Sequence, residues 1–243
     1  MILHANISGA GEPIVFLHSG GMTGLTEFEE QTEFFKKESY KIIRPDLRGH
    51  GKTGGSIKNY FSQCPDDIRD TLEFLQVNRC HIAGVSIDGL VALLFAKKYP
   101  EKVKSLTFSG IFPMKTENWD EDQKEEAIRH KMLFENEEIV NYMNQIHVNS
   151  DWKALIESWN EEDWYPFSET REVSSLQVPS LCIVGGESKA EVTAAMIFKE
   201  LNPAIHIAVI PFASHLVHRD QPDVYSNILS KFLQSVKAAS REN

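Results

Sequence analysis

Six short runs of continuously apolar sequence, each separated from the next by a stretch with helical spacing, restrict the fold of this chain more than any other feature. They span residues 14–17, 41–43, 80–85, 105–108, 180–184 and 205–210. In most of them the apolar residues adjoin one another and do not alternate strictly with polar ones, as expected of strands buried on both faces. Helical spacing fills residues 25–37, 65–76, 90–98, 192–201 and 222–236. Strands without a polar face, alternating with helices, predict an α/β fold with a mostly parallel sheet flanked by helices. Residues 2–7 are expected to add one antiparallel edge strand, ahead of a turn at residues 9–11.

Composition narrows the class. With 243 residues, 42% apolar and 25% charged, the chain is long enough for a sizeable core and ordinary for a globular protein. Its longest apolar stretch, residues 90–96, is far short of the roughly 20 residues that cross a bilayer. The opening MILHANISGAGEP has neither a cationic start nor a long apolar run, so no signal peptide is expected. Cys64, Cys80 and Cys182 are odd in number and lack CxxC spacing, which argues against a disulfide framework or structural zinc and predicts a cytoplasmic setting. The net charge of −10 argues against nucleic-acid binding. That charge is concentrated: residues 113–172 hold 16 acidic and 6 basic side chains and all four tryptophans, Trp119, Trp152, Trp159 and Trp164, while the remainder is balanced. An acidic, aromatic and mostly helical module inserted between two balanced halves is expected. The halves are residues 1–112 and 171–243, and the insertion is 113–170.

Three motifs carry chemistry. Gly84-Val85-Ser86 closes a strand and an apolar helix follows at once. A serine on that turn either caps the helix or stands above the sheet edge as a nucleophile, with the Ile87 amide positioned to stabilise an oxyanion. Ser214-His215 lies on a loop beyond the last strand, at the sheet edge where catalytic groups collect, and His215 fits as a base. His218, three residues on, is expected at the surface. His18-Ser19-Gly20-Gly21 follows the first long strand; either it is a plain tight turn or the Gly20 amide partners that of Ile87. Asp46-Leu47-Arg48-Gly49-His50-Gly51 closes another strand, with Asp46 and Arg48 expected to fix loops. No His/Cys/Asp group has metal-ligand spacing and no glycine run has the phosphate-cradling form, so neither metal nor cofactor is called for.

Taken in order along the chain, these motifs resemble the α/β-hydrolase superfamily. The resemblance implies Ser86 as nucleophile, His215 as general base, the Gly20 and Ile87 amides as oxyanion hole, and the insertion as a helical cap. The chain departs from the family pattern in three places. Asp88 occupies the last position of the usual Gly-x-Ser-x-Gly, bringing a carboxylate within two residues of the nucleophile. The triad acid commonly follows the strand at 181–184 as Gly-x-x-Asp, whereas here Gly185-Gly186-Glu187-Ser188-Lys189 makes Glu187 the expected acid, with Glu191 behind it. The opening strand matches the family's second, so one edge strand is expected to be missing.

These readings lead to a serine hydrolase acting on a small, neutral ester through an acyl-enzyme on Ser86, its partner a small-molecule substrate. Two alternatives come with them. One is a ligand-binding or signalling protein on the same fold with a degraded triad. The other is a carbon–carbon bond hydrolase or lyase acting on an anionic acid, which the acidic insertion disfavours unless its charges face solvent.

Overall fold

The computed structural model describes residues 1–242, with side chains described as far as Ala239. Seven strands form a single sheet: β1 (Ala5–Gly9), β2 (Glu12–Leu17), β3 (Tyr40–Pro45), β4 (Cys80–Val85), β5 (Val103–Ser109), β6 (Ser180–Gly185) and β7 (His206–Ile210). Their order is β1-β3-β2-β4-β5-β6-β7; β1 runs antiparallel against β3 and every other pairing is parallel. All seven expected strands are therefore present, but the antiparallel edge strand expected over residues 2–7 lies at Ala5–Gly9, and β7 forms the opposite edge.

Successive side chains of a strand face opposite layers, and β2 shows it. Val15 and Leu17 pack into one apolar cluster with Leu90, Leu93 and Phe95, while Ile14 and Phe16 pack into another with Phe35, Leu229 and Leu233. The first cluster is covered by α2 (Tyr60–Phe74) and α3 (Ile87–Lys98), and α8 (Lys189–Leu201) lies over β6 and β7. The second is covered by α1 (Glu29–Lys37), α9 (Val217–Asp220) and α10 (Pro222–Glu242). All three cysteines are free and buried.

Four helix starts differ from the sequence pattern; α3 and α8 each begin three residues earlier than expected, at Ile87 and Lys189. The helix expected from residue 25 begins at Glu29, because Phe28 adopts a left-handed conformation (φ 58°). The helix expected from Pro65 begins at Tyr60 and contains Pro65. Tyr60 is buried and its hydroxyl donates to Asp88, so tertiary anchoring extends the helix backward past the proline.

Four helices intervene between β5 and β6: α4 (Trp119–Glu135), α5 (Glu137–Ile146), α6 (Trp152–Ser158) and α7 (Phe167–Arg171). They cross the carboxyl ends of the strands, where several of their side chains meet those of the core around one cavity. His147, just beyond α5, joins them to two core loops: Nδ1 accepts from the Gly51 amide at 2.9 Å and Nε2 donates to the Gly21 carbonyl at 2.9 Å. Tyr165 adds a second tie, accepting from the Phe112 amide at 2.6 Å. Fifteen of the sixteen acidic residues in 113–172 are exposed, Glu126 being the exception, so the acidic excess lies on the solvated outside. Among the described residues no helix is long and apolar enough to cross a membrane.

Candidate active site

Ser86 sits at the junction of β4 and α3 with φ 57° and ψ −135°, a conformation rarely populated by a residue with a side chain. Its amide donates to the Ser109 carbonyl at 2.9 Å, and Gly89 donates to the Ser86 carbonyl at 2.8 Å, so both sides of the strained turn are held. Gly84 is required for this turn: a Cβ there would lie 2.3 Å from the Asp88 carbonyl oxygen.

The loop after β7 brings His215 to the same edge. Its Nε2 is 2.9 Å from Ser86 Oγ, and its Nδ1 is 2.8 Å from Glu191 Oε1. Gly110, at φ +67°, leaves room for the ring, since a Cβ there would stand 2.6 Å from His215 Cε1. Burial opposes charge on the imidazole, but the bond to Glu191 and its charge outweigh that and raise His215 above its ordinary range.

Glu187 is not the carboxylate beside His215. It is exposed, and its backbone amide donates to the Ala213 carbonyl. Ser188 caps α8, which places Glu191 in the first turn of that helix. Helical side chains tilt toward the N-terminus, so a glutamate one turn inside reaches back over the end of β6 to the histidine. The helix N-terminus also favours its negative charge. Glu191 is 3% exposed, and its Oε2 has no bonded partner among the described residues.

Gly20 and Ile87 both line the cavity beside Ser86 and His215, and neither amide donates to an acceptor among the described residues. A Cβ on Gly20 would stand 2.8 Å from the Trp159 ring, so only glycine fits beneath that indole. Glu27 secures the loop from below, accepting from the Ser19 amide at 3.0 Å and from the Ser19 hydroxyl. Glu27 is drawn down to about 2: burial resists its charge, but the bonds from His218 and Ser19 and the Arg219 charge prevail. His218, expected at the surface, is 1% exposed, donating to Glu27 at 2.7 Å and stacking on Phe28. The short helix α9 turns it inward, which spacing along a loop does not show.

Asp88 does not face Ser86. Its Oδ1 accepts from the Tyr60 hydroxyl at 3.0 Å, Oδ2 lies 2.9 Å from His18 Nδ1, and both acidic and imidazole side chains are fully buried. Asp46 ties loops together, accepting from the Gly24 and Lys52 amides, and Arg48 pairs with Asp67.

The cavity above these groups measures about 680 Å³. Trp119, Trp159 and Trp164 line it, whereas Trp152 belongs to the insertion's own core, packed on Phe134 with its Nε1 donating to Asn144. The polar face of α4 contributes Gln123, Glu126, Arg129 and His130. Bonds from His130 and Arg129 hold Glu126 down at about 2, so both cationic groups of this face are already paired. Among the described residues no cluster of three or more His, Cys, Asp or Glu could hold a metal.

A parallel sheet with a strained serine turn, a histidine beyond the last strand and helices inserted after β5 defines an α/β hydrolase. The family model for the alpha/beta hydrolase fold matches residues 12–158, and the chain belongs to that family. A Bacillus subtilis (strain 168) protein named provisionally as a 2-succinyl-6-hydroxy-2,4-cyclohexadiene-1-carboxylate synthase is 26% identical, covering 93% of this chain and 92% of its own. A 2-hydroxy-6-oxononadienedioate/2-hydroxy-6-oxononatrienedioate hydrolase of Burkholderia vietnamiensis (strain G4 / LMG 22486) is 33% identical over 44% of this chain and 39% of its own. A structure solved with carboxylesterases of Nitrososphaera gargenis superposes with a TM-score of 0.78 at 18% identity, covering 97% of this chain and 95% of the other.

Proposed function

We propose that this chain is a serine carboxylic-ester hydrolase for small, neutral substrates, with Ser86, His215 and Glu191 as its triad and residues 113–170 as its cap. The continuous chain of contacts from Ser86 Oγ through His215 to Glu191, at 2.9 and 2.8 Å, carries this reading. Ser86 Oγ attacks the ester carbonyl as His215 Nε2 takes its proton, while Nδ1–H stays bonded to Glu191. The Gly20 and Ile87 amides receive the developing oxyanion. His215 then protonates the departing alcohol, and water, activated by the same nitrogen, releases the acid from Ser86. A contiguous triad speaks against a ligand-binding protein with degraded machinery.

The two sequence relatives bear names of carboxylate compounds, and a carbon–carbon bond hydrolase would use the same serine turn. The cavity supports the neutral ester instead. Recognition of a carboxylate is served by an unpaired cation, whereas Arg129 and His130 both bond Glu126, and the rest of the lining is largely apolar and aromatic.

The test compares p-nitrophenyl butyrate with the p-nitrophenyl monoester of glutaric acid, for wild type and Ser86→Ala. The expected result is faster turnover of the neutral ester, abolished in the variant. Faster turnover of the charged ester, or unchanged turnover in Ser86→Ala, would contradict the reading.

A further inference from the structure

Asp88 stands where the family pattern has glycine, and a buried carboxylate needs compensation to be tolerated there. Three sources are present. Asp88 lies in the first turn of α3, where the helix dipole favours negative charge. The Tyr60 hydroxyl donates to Oδ1 at 3.0 Å. His18 Nδ1 stands 2.9 Å from Oδ2.

The proton on His18 can be placed. Its Nε2 accepts from the Leu47 amide at 3.1 Å, so that nitrogen carries no hydrogen. That leaves a proton on Nδ1, donated to the Ser19 carbonyl at 3.0 Å; Asp88 Oδ2 lies 2.9 Å from the same nitrogen as an electrostatic contact and has no hydrogen-bond partner among the described residues. His18 precedes Gly20 by two residues, and Asp88 immediately follows Ile87. The Asp88–His18 contact thus spans the gap between the two loops that present those amides.

We propose that Asp88 and His18 form a brace that fixes the spacing of the Gly20 and Ile87 amides, making Asp88 a positioning residue of the oxyanion hole. The inference rests on the reading of those amides as the oxyanion hole under the proposed esterase function. An oxyanion hole works only when both donors lie within about 2.7–3.1 Å of the position the oxyanion will occupy, so a small drift of one loop is felt in the transition state. Glycine at 88 would leave the Tyr60 hydroxyl without its acceptor and remove the carboxyl group beside His18. The Ser86–His215–Glu191 chain does not pass through the brace, so nucleophile activation and loop spacing are separable.

The experiment uses the full chain as wild type, Asp88→Gly and Asp88→Asn. It reads kcat and KM for p-nitrophenyl butyrate, inhibition by phenylboronic acid as a tetrahedral mimic, and backbone NMR order parameters at Gly20 and Ile87. Asp88→Gly is expected to lower kcat about 10- to 100-fold, less than the loss of a whole donor, with KM within about threefold. Boronate affinity should fall by the same factor as kcat, and the pH inflection of kcat/KM should stay in place because His215 is untouched. Asp88→Asn, which keeps an acceptor for Tyr60 or His18, should recover most of the loss. The backbone order parameters of both amides should fall in Asp88→Gly from the rigid value of about 0.85. The proposal is overturned if kcat of a folded Asp88→Gly stays within about twofold of wild type, or if kcat, KM and the pH inflection all move together. If Asp88→Gly does not fold, Asp88→Asn is judged by the same criterion, boronate affinity tracking kcat, and a failure to track overturns it. A wild type without esterase activity would sink the functional reading alone. The order parameters then decide on the brace: lowered values in Asp88→Gly uphold it and unchanged values end it.

Discussion

Glu191 Oε1 accepts from His215 Nδ1 at 2.8 Å, across the gap between the start of α8 and the loop after β7. The carboxylate fixes which ring nitrogen carries the proton and leaves Nε2 free to accept from Ser86. Glu191→Ala should therefore lower kcat by about 10³- to 10⁴-fold, as loss of a triad acid does elsewhere. Glu187→Ala, on an exposed side chain, should change it less than about twofold. Steady-state turnover of p-nitrophenyl butyrate by the two variants checks both.

The same contact sets the pH dependence. His215 must be neutral to act as base, and Glu191 raises it above the ordinary histidine range. The ascending limb of kcat/KM should therefore have its inflection above about 6.5. Removing the carboxylate with Glu191→Gln should move that inflection down, because the charge and the hydrogen bond that favour the imidazolium are weakened. A pH–rate profile from 5 to 9 measures it.

Gly110 makes room for the His215 ring at φ +67°. Gly110→Ala places a methyl 2.6 Å from His215 Cε1 and pushes the ring off the serine. Misplacement of about 1 Å costs about 10²-fold in rate, so a loss of at least tenfold in kcat is expected. Strain at positive φ should also lower the thermal midpoint, which calorimetry would show.

How much of this was legible in the sequence depends on what each residue's position rests on. Ser86, His215 and the glycine loop are fixed by where strands end, and continuous apolar runs mark strand ends clearly. Glu191, second to Glu187 in the sequence, rests on the phase of a helix that starts at Lys189, and loop spacing alone ranks the nearer carboxylate first. Asp88 could be seen as a departure but not aimed, since its direction is set by Tyr60 and His18, distant in sequence. His218 is buried because α9 turns what looks like loop in the sequence into a helix with an inward face. The acidic insertion's charges were visible; that nearly all of them face solvent is a matter of packing.

Stability should fall in acid for a reason separate from catalysis. His81 is buried, bonded to Ser105, and burial lowers it to about 4 from an ordinary 6.5. Between those values the unfolded chain binds the proton and the folded chain does not, so stability rises with pH across the window and is lost as pH falls through it. The contribution is at most about 3 kcal/mol. Urea midpoints of wild type and His81→Gln between pH 4 and 7 should show a shallower slope in the variant.

The most direct test of the central claim is intact-mass spectrometry after reaction with a fluorophosphonate, followed by peptide mapping. One phosphonyl adduct on Ser86, absent in Ser86→Ala and formed far more slowly in Glu191→Gln, is the predicted result. Ester turnover that persists with no adduct, or with an adduct on a different residue, would contradict the account.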